Sequence, residues 1–171
     1  MSTYAKTLTQ PFTLPQTYLK ASAFVLLSVL VPQLMHQFSL AGTIFLPILF
    51  FTFFAAIRFG WAVGLLSAVA SPLVSHALTG MPPGVILYVV LAQCVAIALL
   101  TGLFTKGKSK ISFIQILAII GAYQLIAFSM ESLLLGGPAD ALYGIKTTIP
   151  GMLIQLIFFT LYSKYLSGKQ K

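Results

Sequence analysis

The chain predicts an all-α integral membrane protein, a bundle of six transmembrane helices with both termini in the cytoplasm. Three observations carry this. Hydrophobic residues make up 58% of the 171 residues and charged residues only 7%, against about 25% in an ordinary soluble domain. Apolar runs of roughly 20 residues, the length that crosses a bilayer, recur six times between Gly, Pro or basic breaks. The charges are strongly sorted: of 10 Lys and Arg residues, Lys146 alone falls on the outer side when alternate connections are assigned inside and outside.

The first twenty residues are polar and contain Lys6, Lys20, Pro11 and Pro15, without the apolar stretch of a cleavable signal, so the first span is expected to direct insertion. The spans fall near 18–36, 42–57, 60–78, 85–104, 112–135 and 146–166, the second being short. This gives a cytoplasmic segment at 1–17, a membrane domain at 18–166 and a cytoplasmic tail at 167–171. Lys6, Lys20, Arg58, Lys106, Lys108, Lys110, Lys164, Lys169 and Lys171 then lie inside. Tyr4, Tyr18, Trp61, Tyr162 and Tyr165 read as interfacial anchors at that boundary.

The net charge of +8 reflects this loop bias rather than a nucleic-acid partner. Cys94 is the single cysteine, so neither a disulfide nor a cysteine metal cluster is available within one chain. No nucleotide-binding motif occurs, and no cofactor is expected.

The outer connections run from Gln37 to Ala41, from Thr79 to Gly84 and from Gly136 to Ile145, and the last two are rich in turn-forming Gly and Pro. Polar residues crowd the same side: Gln33, His36, His76, Tyr88, Gln93, Glu131 and Lys146 all fall in the outer half or at the outer mouth. Such groups rarely face lipid, so they imply a polar pocket open to the outside. Glu131 and Asp140 are the only acids. A lone carboxylate within a span costs about 2.5–3.5 kcal/mol on insertion scales at mid-membrane and less near its end, so Glu131 asks for a ligand or a structural partner. Tyr123, Ala127 and Glu131 share one helical face at four-residue steps, with Gln124 and Phe128 alongside. The competing reading pairs Glu131 with Lys146 or with loop backbone. Asp140 reads as a turn or gate residue.

On the third span Gly60, Gly64 and Ala68 repeat every four residues beside Ser67, Ser71, Ser75 and Thr79. Internal helix packing is the simpler account, and a sliding face for another subunit or a pocket wall is the other. His36, His76 and Glu131 admit a membrane-embedded enzyme or a metal-handling protein as the alternative class. No nucleophile with base and orienting acid can be assembled from sequence. A purely structural membrane subunit is a third possibility.

The stretch Ser71-Pro72-Leu73-Val74-Ser75-His76-Ala77-Leu78-Thr79-Gly80-Met81-Pro82-Pro83, together with His36 to Pro47 and Ile149 to Leu156, resembles the substrate-specific S components of energy-coupling factor (ECF) vitamin transporters. The resemblance runs roughly from Leu30 to Leu166. It implies a bacterial, multi-pass plasma-membrane protein, not itself an enzyme, that binds a vitamin or related micronutrient captured from outside. It also implies a transmembrane coupling subunit and two cytoplasmic ATPases as partners. Carried over by position, the ligand contacts are Gln33, His36, Gln37, Thr79, Met81, Pro82, Tyr88, Gln93, Tyr123, Gln124, Glu131, Tyr143, Lys146 and Gln155. Where that family has an Ala-xxx-Ala docking pattern on its first span, this chain has Ala21, Ser22, Ala23 and Ser28; with Gly60 and Gly64 these form the expected partner-docking set. Related sequences often have Glu where Gln93 stands, which implies a less acidic pocket here.

Overall fold

A computed structural model describes residues 12, 14–37, 46–105 and 111–168, with the side chains of 36, 37 and 166–168 excepted. The Gln37–Ala41 connection beyond Gln37, the anchor Tyr4 and the cations Lys6, Lys106, Lys108, Lys110, Lys169 and Lys171 lie outside the described residues. Six helices account for the described fold: α1 Pro15–Gln37, α2 Pro47–Phe59, α3 Trp61–Thr79, α4 Gly84–Thr105, α5 Phe113–Leu134 and α6 Pro138–Gly168. Five are long and apolar enough to cross a membrane. The protein is therefore all-helical over its described residues, with the character of a multi-pass membrane bundle.

The exception in length is α2, at 13 residues or about 20 Å, shorter than a hydrocarbon layer of about 30 Å. Its sequence explains its place in the fold. Phe53, Ala55 and Ala56 are fully buried, and α2 packs on α1, α3 and α4, so its apolar surface meets protein on several sides. Its aromatic residues continue across to α6. Phe50 and Phe53 lie 5.2 and 4.3 Å from Phe159, and Phe54 lies 5.1 Å from Tyr162.

A single residue, Gly60, separates α2 from α3, and the hairpin closes very tightly. A Cβ placed on Gly64 would lie 2.6 Å from the Ala56 Cβ and 2.9 Å from its Cα, so the two helices touch backbone to backbone. The Gly60-Gly64-Ala68 repeat is thus used, at Gly64, for packing inside the chain. From α3 the chain continues as antiparallel neighbours, α3 on α4, α4 on α5 and α5 on α6. At the far end of the last pair, the Ser163 hydroxyl donates to the Ile111 carbonyl at 2.6 Å.

The largest departure from the sequence expectation is the start of the last helix. It begins at Pro138 rather than near 146, so most of the expected Gly136–Ile145 connection is helix. The signals are local. Gly136 and Gly137 take φ values of 141° and 121°, open only to residues without a Cβ. Pro138 then occupies the first helical position and Asp140 the first turn, where a carboxylate offsets the helix dipole. At 31 residues, α6 is about 46 Å long and overruns a bilayer's apolar thickness. Its first three turns carry Tyr143 and Lys146, both exposed.

Candidate functional site

An amide in an apolar interior must be paired, because each lost hydrogen bond costs about 1–3 kcal/mol. Gln93 on α4 is only 5% exposed and finds its partners on α5. Its Nε2 donates to the Gln124 Oε1 at 3.1 Å and to the Tyr123 carbonyl at 3.4 Å. Gln124 passes the pattern on, its Nε2 donating to the Thr148 Oγ1 of α6 at 3.2 Å. The Thr148 hydroxyl is itself placed to donate to the Ile145 carbonyl at 3.0 Å or to that of Gly144 at 3.2 Å. Three helices are joined by one directional chain of side-chain hydrogen bonds.

A second link lies deeper along α6. The Tyr123 hydroxyl donates to the Gln155 Oε1 at 3.0 Å, and both side chains are 0% exposed. The Gln155 Nε2 is buried and has no hydrogen-bond partner among the described residues. On the α2 side of the same core, the Thr52 hydroxyl approaches the Cys94 sulfur at 3.7 Å.

Helical phase explains why these residues meet. On α6, Ala141, Gly144, Thr148, Gly151, Gln155 and Phe159 recur at three- and four-residue steps and form one stripe; four of the six are buried and the other two half-buried. On α5, Tyr123, Ala127 and Glu131 form the facing stripe. Glu131 lies seven residues beyond Gln124, or about 10 Å further along the same seam. Its Oε2 occupies the notch at Gly144, 2.6 Å from where a Cβ would stand.

Glu131 is half-buried and has neither a hydrogen bond nor an ion pair among the described residues. Lys146, the sequence candidate for its partner, follows Gly144 by two residues. It is rotated by about 200° onto the opposite, exposed side of α6. A methyl group at Gly144 must displace the carboxylate. Gly144→Ala is expected to leave thermal unfolding in detergent nearly unchanged, because the displaced carboxylate gives up no hydrogen bond among the described residues. A clear drop in unfolding temperature would show that the notch is needed for packing α5 on α6.

The other expected contacts are not joined to this seam by hydrogen bonds. Tyr88 and Tyr143 are 62% and 71% exposed, and Gln33 is half-buried on α1, whose main packing partners are α2 and α3. The α3–α4 turn is braced from within. The Thr79 hydroxyl donates to the Ser75 carbonyl at 2.7 Å and accepts from the Met81 N–H at 3.3 Å. The His76 Nδ1–H donates to the Pro82 carbonyl at 2.8 Å. Met81 projects outward, and the side chains of His36 and Gln37 lie outside the described residues. Among the described residues there is no group of three or more His, Cys, Asp or Glu side chains able to hold a metal.

Of the expected docking residues, Ala21, Ser28, Gly60 and Gly64 are buried within the chain, whereas Ser22 and Ala23 are exposed. Sequence reasoning passed over Thr148 and Gly144. The available signal was their spacing, since Thr148 precedes Gln155 by seven residues and follows Gly144 by four. Compared with protein families, with characterised proteins and with solved structures, the chain finds no match.

Proposed function

We propose that this chain is the substrate-binding membrane subunit of an ECF-type importer. In this reading it captures a vitamin or related micronutrient from outside a bacterial cell, in the plasma membrane, and performs no chemistry on it. A transmembrane coupling subunit and two cytoplasmic ATPases supply the energy. The observation that carries the proposal is the α4–α5–α6 seam, where Gln93, Gln124, Thr148, Tyr123 and Gln155 converge inside an apolar bundle. Such a polar interior is costly to build and leaves a buried amide N–H and a half-buried carboxylate without partners among the described residues. The Ser71–Pro83 and Ile149–Leu156 stretches add the family resemblance.

The orientation belongs to the same proposal. Lys20 and Arg58 lie 5.1 and 5.3 Å from the Phe59 ring centroid, and together with Lys164 they occupy the bundle end away from the α3–α4 and α5–α6 turns. A cytoplasmic setting suits this basic end. Glu131 and the seam's mouth then face outward.

The test is to purify the protein in detergent from its own host, denature it and identify released small molecules by mass spectrometry. A near-stoichiometric organic solute is expected, and its occupancy should fall at least about tenfold in Gln93→Ala, which severs the amide chain at its origin. Stoichiometric zinc, nickel or cobalt in place of an organic molecule would overturn the proposal. So would a folded protein that releases nothing.

A further inference from the structure

We propose that the solute carries a cationic nitrogen, protonated or quaternary, and that Glu131 is the group that receives it; this rests on the reading of the seam as a solute site. The half-buried carboxylate has no donor among the described residues, although a charge removed from water demands one. Among the described residues no cation faces the carboxylate. Lys146 points away on α6, and the neighbouring positions on the two stripes, Ala127, Gly144 and Thr148, bear no charge. The hydroxyl of Ser132 is also buried without a partner among the described residues.

Gly144 makes the arrangement specific. Its missing side chain lets the carboxylate lie against α6 instead of turning out toward lipid or water. Along the seam, roughly 10 Å deeper at Gln124 and roughly 16 Å deeper at Gln155 by helix rise, the groups are amides and hydroxyls of zero net charge. One of them, the Gln155 Nε2, is a donor with nothing to bond among the described residues. The site is thus polarised: an anionic acceptor near the α5–α6 turn and neutral hydrogen-bonding groups further in. An anionic solute would meet repulsion at Glu131, and a neutral one could donate a hydrogen bond to the carboxylate but would leave its charge uncompensated. A solute with a cationic end and a carbonyl- or ring-nitrogen-bearing end satisfies both.

An ammonium-bearing lipid headgroup offers the same cationic chemistry, so the experiment separates the two sources. Wild type, Glu131→Gln, Glu131→Asp and Gln93→Ala are purified in parallel from the host and denatured. The aqueous and organic extracts are then analysed separately by mass spectrometry, and electrophoretic mobility at neutral pH gives the charge of each released compound. The expected result is an aqueous, cationic compound in wild type that falls at least tenfold in Glu131→Gln and is better retained in Glu131→Asp. Emptied Glu131→Gln should remain monodisperse and unfold at or above the temperature of emptied wild type, because the side chain it replaces has no partner to lose.

A neutral or anionic compound would overturn the assignment, as would unchanged occupancy in Glu131→Gln or loss of an aminolipid alone. Each of these, combined with loss in Gln93→Ala, leaves the solute-binding reading standing. A Glu131→Gln protein that unfolds at lower temperature when empty would instead assign the carboxylate a structural role. Absence of any released compound from wild type would overturn both readings.

Discussion

Gly64→Leu is expected to yield little or no monodisperse protein, the largest effect of any single substitution considered. The first added carbon would lie 2.6 Å from the Ala56 Cβ and 2.9 Å from the Ala56 Cα. The second of these is backbone, so no rotamer change relieves the clash and α2 must separate from α3. Overpacking a well-filled interior costs about 1–3 kcal/mol when side chains can adjust. Here the cost should reach about 3 kcal/mol or more, because the contact between the helices is lost over their full length. Size-exclusion profile and thermal unfolding in detergent provide the measurement. Gly64→Ala should be milder and should recover in part when combined with Ala56→Gly, which removes the opposing methyl but leaves the close approach to the Ala56 Cα. Wild-type yield and unfolding temperature for Gly64→Leu would show that the face is open and available to another subunit.

That experiment bears on how the repeat at Gly60, Gly64 and Ala68 is read. Small residues at four-residue spacing say that something approaches closely, but not whether the visitor is another helix of the same chain. The one-residue break at Gly60 decides it physically, since a hairpin so short forces α2 back along α3. The last helix illustrates a different limit. Gly136, Gly137, Pro138, Asp140 and Gly144 all favour turns when taken one by one, which is why the segment reads as a connection. Taken in order, two glycines, a proline and an acid in the first turn are a helix start. Only the hydrophobic run, which begins later, hides it.

The same misplaced boundary obscured half of the candidate site. With α6 starting at Pro138, Thr148 and Gly144 fall on the stripe facing α5, and Lys146 falls opposite. A pairing of Glu131 with Lys146 is reasonable from sequence distance but incompatible with that phase. Gln93, Tyr123, Gln124 and Glu131 were legible because polar groups within an apolar run need a shared interior. Gln155 entered only through the family resemblance. Its partner across the seam, Tyr123, is visible only when α5 and α6 are set antiparallel. Gln93 meets Gln124 and not Glu131, which lies two turns further along α5.

The Tyr123–Gln155 pair offers the second large effect, and it separates stability from binding. Tyr123→Phe removes the hydroxyl that serves the Gln155 Oε1, leaving a fully buried amide with both ends unpaired. A loss of about 1–3 kcal/mol is expected. Gln155→Leu should cost a similar amount by stranding the Tyr123 hydroxyl. The double variant Tyr123→Phe/Gln155→Leu removes every polar atom of the pair and substitutes apolar groups of comparable volume. Its stability should therefore return to within about 1 kcal/mol of wild type, so the two single losses should fail to add by at least about 1 kcal/mol in a double-mutant cycle. Simple addition of the two single losses would show that the hydrogen bond is not the source of either. Solute retention should not recover with stability. A cooperatively folded double variant lacking the buried Nε2 donor is expected to retain at least about tenfold less solute than wild type. Full retention would place Gln155 among the structural groups of the core and confine the binding seam to Gln93, Gln124 and Glu131.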